Sequence, residues 1–358
     1  SDGCSAELGQ ITIMRIFNIK EAVLNLPEER LNATVAAIKR HQSVDAKAAA
    51  LPNSVQLRNI ANRSNAVSSC ALGNVFLSEE EEVALFDASS EPKNFAEKMV
   101  RGYVEALEYI DQIYDQTELS ISFISTLHYI MYKQYNPEIG GKFKDAQNYI
   151  QERLPDGTYR PVFTPSHPEE AYSLLDNLIW QFNECAKDPE IDKLLLIAVF
   201  MFDFLCIHPY NHGNGRVSRL VLHYLLKKYG YAVDDYYAVS YLLENQVADY
   251  LGSFMESGHN WDEGINNYRP YVHFLLRMVH AAYRRVEYIV AIAGDESELD
   301  DKLLRILRES NGPIGLGVFT KILYNDSRDD IKARLNALMD EGRIQRVVRG
   351  SKVKYFVN

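Results

Sequence analysis

The sequence is poor in the features that would place a chain across a membrane, on a metal cluster or along bulk nucleic acid. No apolar run continues for the roughly 18 residues that a bilayer span requires. Cysteine is scarce: Cys4, Cys70, Cys185 and Cys206 lie far apart, with no Cys-x-x-Cys pair and no Cys/His metal spacing. Three of them sit in apolar helical sequence, so reduced core thiols are expected. Positive charge is in deficit, with 38 Lys and Arg against 49 Asp and Glu and a net charge of −11. That balance argues against bulk nucleic-acid binding but leaves room for a local basic patch. The first ten residues, SDGCSAELGQ, start with Ser1 rather than Met and carry neither the basic nor the apolar region of a secretory signal. The expectation is a cytoplasmic protein in a reducing compartment, with no membrane partner.

What is present is a globular composition, 47% hydrophobic and 24% charged over 358 residues, long enough for about two domains. Apolar periodicity predicts helices over 32–50, 53–72, 91–113, 121–135, 169–186, 191–207, 216–229, 235–255 and 267–293. Ser78 followed by four glutamates reads as a capped helix start. Residues 142–163 are the one extended stretch: 148–151 and 159–163 flank Pro155-Asp156-Gly157, a hairpin signal. A polar hinge at 294–297 precedes three short helices and two strands, 344–349 and 353–357, joined by Gly350-Ser351. That order resembles a winged helix. Its strand segment, from Arg343 on, carries Arg343, Arg346, Arg349, Lys352 and Lys354 without an acid. DNA contact is one reading of this cluster; a solvated wing or a protein-docking surface is the other.

Residues 208–219 read His-Pro-Tyr-Asn-His-Gly-Asn-Gly-Arg-Val-Ser-Arg, directly after the almost wholly apolar 191–207. Pro209 disfavours helix in the residue before it, so His208 falls at the mouth of a loop fastened to a buried rod. Gly213, Asn214 and Gly215 then open the next helix, where free amides and the helix dipole attract anions. Arg216 and Arg219, three apart, share one face of its first turn. An imidazole, a nest of amides and two guanidiniums converge there, which suits a polyphosphate held beside a proton acceptor.

This run resembles the signature of the Fic (Fic/Doc) family, His-Pro-Phe-x-Asp/Glu-Gly-Asn-Gly-Arg-x-x-Arg. His208, Pro209, Gly213, Asn214, Gly215, Arg216 and Arg219 match, and Tyr210 replaces Phe. The resemblance implies a mainly α fold: a Fic helical bundle with a β-hairpin flap, plus the C-terminal winged-helix domain. Its implied divisions are an N-terminal helical region (1–110), a Fic core (111–293) with flap 142–163, and the winged helix (299–358). It implies transfer of AMP from ATP to a Ser, Thr or Tyr hydroxyl of a protein. His208 would be the base; Gly213, Asn214, Gly215, Arg216 and Arg219 would hold the phosphates, and Tyr250 would lie near the adenine. Asn148, Tyr149 and Ile150 of the flap would pair with the target backbone. ATP as substrate, a divalent Mg²⁺ or Mn²⁺, a protein partner and a homodimer complete the family picture.

Three positions depart from the pattern. The metal-anchoring acid is His212, and imidazole suits softer ions than Mg²⁺. Three consequences stay open: weak or absent transfer, another metal, or another phosphate-containing substrate met by His212 as imidazolium. Upstream, residues 68–74 (Ser-Ser-Cys-Ala-Leu-Gly-Asn) occupy the place of the family's inhibitory motif, with Leu72 where its glutamate stands. Lys144 replaces an arginine and loses the forked geometry. The leading expectation is an adenylyltransferase. The alternative is an impaired or repurposed Fic domain that binds nucleotide or phosphate as a regulatory module, linked to DNA through the winged helix.

Overall fold

The computed structural model describes residues 15–87, 90–349 and 352–357, together with the side chains of all of these except Arg349. Cys4 and the Gly350-Ser351 turn lie outside the described residues. Seven helices come first: α1 (Ile19–Leu24), α2 (Glu29–His41), α3 (Val44–Ala49), α4 (Ser54–Leu72), α5 (Glu79–Leu85), α6 (Phe95–Ile113) and α7 (Ile121–Tyr132). A hairpin of β1 (Ile150–Arg153) and β2 (Tyr159–Phe163) follows, then α8 (Pro168–Lys187), α9 (Lys193–Ile207) and α10 (Asn214–Lys228). After a 3-10 turn, Ala232–Asp235, come α11 (Val239–Asn245), α12 (Val247–Gly258) and the long α13 (Arg269–Ala293). The chain ends with α14 (Leu299–Glu309), β3 (Ile314–Gly315), α15 (Leu316–Ile322), α16 (Arg328–Asp340), β4 (Gln345–Arg349) and β5 (Lys352–Phe356). The expected mainly helical class holds.

The core is organised around α9. All fourteen residues from Leu194 to Ile207 are buried, as befits a helix that is apolar all round, and α1, α8, α10 and α13 pack on it. Its first turn is held by Asp192, whose carboxylate accepts from the Leu194 and Leu195 amides. Asp203 is the exception in the rod. It is fully buried but accepts hydrogen bonds from Trp261 Nε1 at 2.8 Å and Tyr268 Oη at 3.0 Å and has Arg15 Nη2 at 3.7 Å, so the buried carboxylate is both hydrogen-bonded and paired. Cys70, Cys185 and Cys206 are buried free thiols.

Local chemistry explains where helix boundaries differ from the periodicity. α6 starts at Phe95 rather than 91, because Pro92 interrupts and Asn94 caps the helix through the Glu97 amide. Ser78 and Glu81 form a reciprocal capping box at α5. The stretch 235–255 divides into two helices at Gln246, where the backbone leaves helical geometry (φ −128°, ψ 37°). α1 falls outside the expected set; at six residues it is too short for a periodic signal, and Asn18 caps it.

The C-terminal elements form their own three-stranded antiparallel sheet in the order β3-β5-β4. Leu303, Leu307, Phe319, Ile331, Leu335, Leu338 and Tyr355 are all buried. The unit rests on the rest of the chain through Tyr324, which donates to the Pro52 carbonyl at 2.8 Å, and through Lys321, 4.2 Å above the Tyr241 ring.

Candidate active site

His208 closes α9 in a left-handed conformation (φ 53°, ψ 62°), its amide still bonded to the Phe204 carbonyl at 3.0 Å. For a non-glycine residue that backbone costs roughly 1–2 kcal/mol, the kind of strain kept where a side chain must be aimed. Its Nδ1 lies 3.0 Å from the Leu205 carbonyl. A carbonyl only accepts, so Nδ1 carries the hydrogen and Nε2 keeps the lone pair. Burial pushes the imidazole down to about 4, and the Lys144 ammonium pushes the same way, outweighing the Leu205 bond. The ring is therefore neutral at pH 7, with Nε2 as its basic atom.

The loop that follows is built by backbone pairing across long sequence distances. The Pro209 carbonyl accepts from the Lys144 amide at 2.8 Å, and Phe143 bridges Tyr210. Asn214 closes the loop on itself: Oδ1 accepts from the Tyr210 amide at 2.8 Å and Nδ2 donates to the Tyr210 carbonyl at 2.6 Å. Gly213 turns the chain at φ 79°, and a Cβ there would lie 2.8 Å from Tyr132 Oη. Gly213 provides no side-chain cap for α10, so the positive end of the helix dipole faces the loop without a carboxylate against it.

Both expected arginines are buried, Arg216 at 7% and Arg219 at 6% exposure. Arg219 Nε donates to Ser69 Oγ at 2.7 Å and Nη2 to the Ser69 carbonyl at 2.9 Å. Arg216 Nη2 donates to Tyr132 Oη at 2.9 Å, while its Nη1 is buried without a partner. The last turns of α4 thus lie over the arginines with neutral groups. Leu72 itself is half-buried and packs against the core.

The other expected residues divide by role. Asn148 works inward: Nδ2 donates to the Tyr210 carbonyl at 2.8 Å, and Oδ1 accepts from Lys144 Nζ at 3.2 Å. Lys144 also donates to the Ser166 and Ile207 carbonyls, and burial lowers its ammonium to about 8 against a smaller upward pull from the Glu170 carboxylate. Tyr149 is 49% exposed and Ile150 half-buried opposite Phe163. Tyr250, half-buried on α12, stacks on Phe274 with centroids 5.7 Å apart. Ser125, His128 and Tyr132 escape sequence reading, because nothing but helical spacing marks them; Ser69 lies in the 68–74 stretch, but its contact with Arg219 could not be read there.

His212 is exposed. Its imidazole offers nitrogen where Mg²⁺ prefers oxygen, and the neighbouring Asp145 carboxylate already accepts from Asn211 Nδ2 at 3.0 Å. The donor set does not fit a protein-held Mg²⁺. Among the described residues, Asp111, His223 and Asp235 are grouped closely enough to ligate a metal. There, however, Lys227 donates to both acids and Arg58 adds a second cation, so the protein supplies the positive charge itself.

Residues 118–226 match the sequence model of the Fic/DOC family. The protein adenylyltransferase Fic of Nematostella vectensis is 27% identical over 137 residues, covering 37% of this chain and 29% of that protein. Protein adenylyltransferase fic-1 of Caenorhabditis elegans is 24% identical over 212 residues, covering 55% and 37%. The chain thus spans about a third of the length of these curated relatives. A crystal structure of a Fic family protein from Desulfovibrio desulfuricans G20 superposes with a TM-score of 0.58 at 18% identity, over 96% of this chain and 97% of that one. A Fic domain-containing signaling protein from Bacteroides thetaiotaomicron gives 0.57 at 18% identity, over 75% and 100%. At such identities the structural likeness speaks for the fold, and the match at 118–226 for the domain. Residues 118–226 are a Fic/DOC family domain within a mainly helical Fic fold.

Proposed function

We propose that this chain transfers AMP from ATP to a hydroxyl of a protein side chain. The observation that carries the reading is the neutral His208, its Nδ1–H spent on the Leu205 carbonyl and its Nε2 left basic, beside the uncapped start of α10. Nε2 takes the hydroxyl proton as the oxygen attacks the α-phosphorus; the bond from that phosphorus to the bridging oxygen breaks, and pyrophosphate leaves. Such base help is worth about 10²–10⁴ in rate. The first amides of α10, Arg216 and Arg219 hold the leaving phosphates, Tyr250 lines the adenine side, and the edge of the flap around Tyr149 and Ile150 receives the target backbone. The buried, unpartnered Nη1 of Arg216 supports an anionic ligand, since such a donor costs free energy until it is met. Arg219 must leave Ser69 to join it. No step is assigned to a metal, because His212 does not supply the oxygen ligand Mg²⁺ prefers.

The C-terminal unit is read as a winged helix that docks protein rather than DNA. The helix that would enter a groove, α16, shows Asp329, Asp330 and Asp340 outward, and its Arg334 is committed to Asp300.

Incubation with α-labelled ATP and either Mg²⁺ or Mn²⁺ tests the reading. Label on the chain or a partner protein, lost in His208→Ala, is the expected result. Label that persists in His208→Ala contradicts it, as does no label in either metal even with His212→Glu.

A further inference from the structure

One face of α7 carries Ser125, His128 and Tyr132, at i, i+3 and i+7, a spacing that aligns them along the helix. Each meets a different point of the loop and helix that follow His208. Ser125 Oγ lies 3.0 Å from Tyr210 Oη, His128 Nε2 lies 2.9 Å from the His212 carbonyl, and Tyr132 Oη accepts from Arg216 Nη2 at 2.9 Å. The central member is tied at both ends, because the Gly141 amide reaches His128 Nδ1 at 2.8 Å.

The ring's state follows from its partners. The Gly141 amide can only donate, so Nδ1 is bare; the His212 carbonyl can only accept, so Nε2 carries the hydrogen. Burial holds the ring far below the ordinary imidazole range, at about 4, which keeps this neutral form. The ring is 2% exposed and stacks on Tyr210 at 4.1 Å and 17°.

We propose that His128 is the positioning residue of the phosphate-binding loop, a neutral two-ended strut that aims the Gly213 amide. The His212 carbonyl and the Gly213 N–H belong to one peptide unit. In a planar trans peptide these two groups point in opposite directions. A carbonyl drawn towards α7 therefore turns the Gly213 N–H away from it, to the side on which the uncapped end of α10 opens. Gly213, at φ 79° and with no room for a Cβ beside Tyr132, lets the following amides continue that turn. Loss of the strut frees this peptide to rotate while the apolar core stays in place. That the amide meets phosphate rests on the function proposed above; that the strut sets its direction does not.

The test uses the full chain. His128→Phe keeps a stacking ring and removes both hydrogen bonds; His128→Gln keeps an acceptor and a donor. Amide hydrogen exchange over residues 210–216 should rise at least about tenfold in His128→Phe, the loss of roughly one hydrogen bond's net free energy. It should return most of the way in His128→Gln, with both melting temperatures near wild type. ATP affinity by calorimetry should follow the same order. Unchanged exchange over 210–216 in His128→Phe overturns the strut, as does a His128→Gln no better than His128→Phe. Should His128→Phe fail to fold, ring ¹⁵N shifts of wild-type His128 decide. A neutral Nε2–H ring at pH 7 supports the strut, and an imidazolium or an Nδ1–H ring ends it. A wild type that binds no ATP but shows the exchange pattern overturns the nucleotide reading and leaves the strut standing.

Discussion

The two ends of α10 handle charge in opposite ways. At its start Gly213 offers no side-chain cap, the arginines donate to a serine and a tyrosine, and two imidazoles, His208 and His128, are held at about 4. Two to four turns further on, His223 and Lys227 enter a dense ionic network with Asp111, Asp234 and Asp235. Burial alone would lower His223, but the Asp111, Asp234 and Asp235 carboxylates raise it to about 9. One helix thus carries an end whose positive charge is left for a ligand and an end whose charges are spent on stability. Sorting carboxylates away from the first end is what the anion site proposed there requires.

Substitutions should separate the two ends. His208→Ala removes the base and should lower AMP transfer by about 10²–10⁴, with the urea midpoint little changed; a loss under tenfold at normal ATP binding contradicts the base assignment. Lys227→Met should do the reverse. It leaves Asp111 and Asp235 short of a buried cation, a loss of roughly 3–5 kcal/mol, and a chemical denaturation curve within 1 kcal/mol of wild type, as an order of magnitude, would show that the network does not stabilise the fold. Leu72→Glu introduces a carboxylate on the α4 turn that covers the arginines and should weaken ATP binding about tenfold, since a charge-assisted bond of ~1.5 kcal/mol must then be broken; unchanged affinity in calorimetry removes α4 from control of the site. Ser69→Ala, which deletes one of Arg219's two acceptors, should tighten ATP binding only a few-fold, by about 0.5–1 kcal/mol.

The pH dependence of stability sharpens the contrast. His208 and His128 sit at about 4 in the fold and near 6.5 when unfolded. The unfolded chain binds their protons first, so their contribution is complete above about 6.5 and drains away towards pH 4. His223 is raised to about 9, so its contribution is complete below about 6.5 and is lost as pH rises through 9. The stability difference between wild type and His223→Gln should therefore shrink as urea midpoints are taken from pH 6 to pH 9.5; a gap that widens reverses the assignment.

Much of this was legible in the sequence, and the limits are physical. The run from His208 to Arg219 carries its own backbone instructions, a proline stop and two glycines, so its loop and helix start could be read locally. The hairpin around Pro155-Asp156-Gly157 was legible for the same reason. The partners that set the site were not. Ser69 and His128 reach the signature from 150 and 84 residues away in the chain, and a polar residue on an amphipathic helix looks alike whether it faces water or a loop. Leu72 was marked by the family pattern, yet the residue that engages Arg219 is Ser69, three positions earlier.

The claim on which the rest depends is the tautomer and charge of His208. Its ring ¹⁵N shifts, followed by NMR from pH 8 to pH 4 on selectively labelled protein, test it directly. The account predicts a neutral ring at pH 7 with hydrogen on Nδ1 and an unprotonated Nε2, titrating near 4. An imidazolium at pH 7, or hydrogen on Nε2, would contradict it.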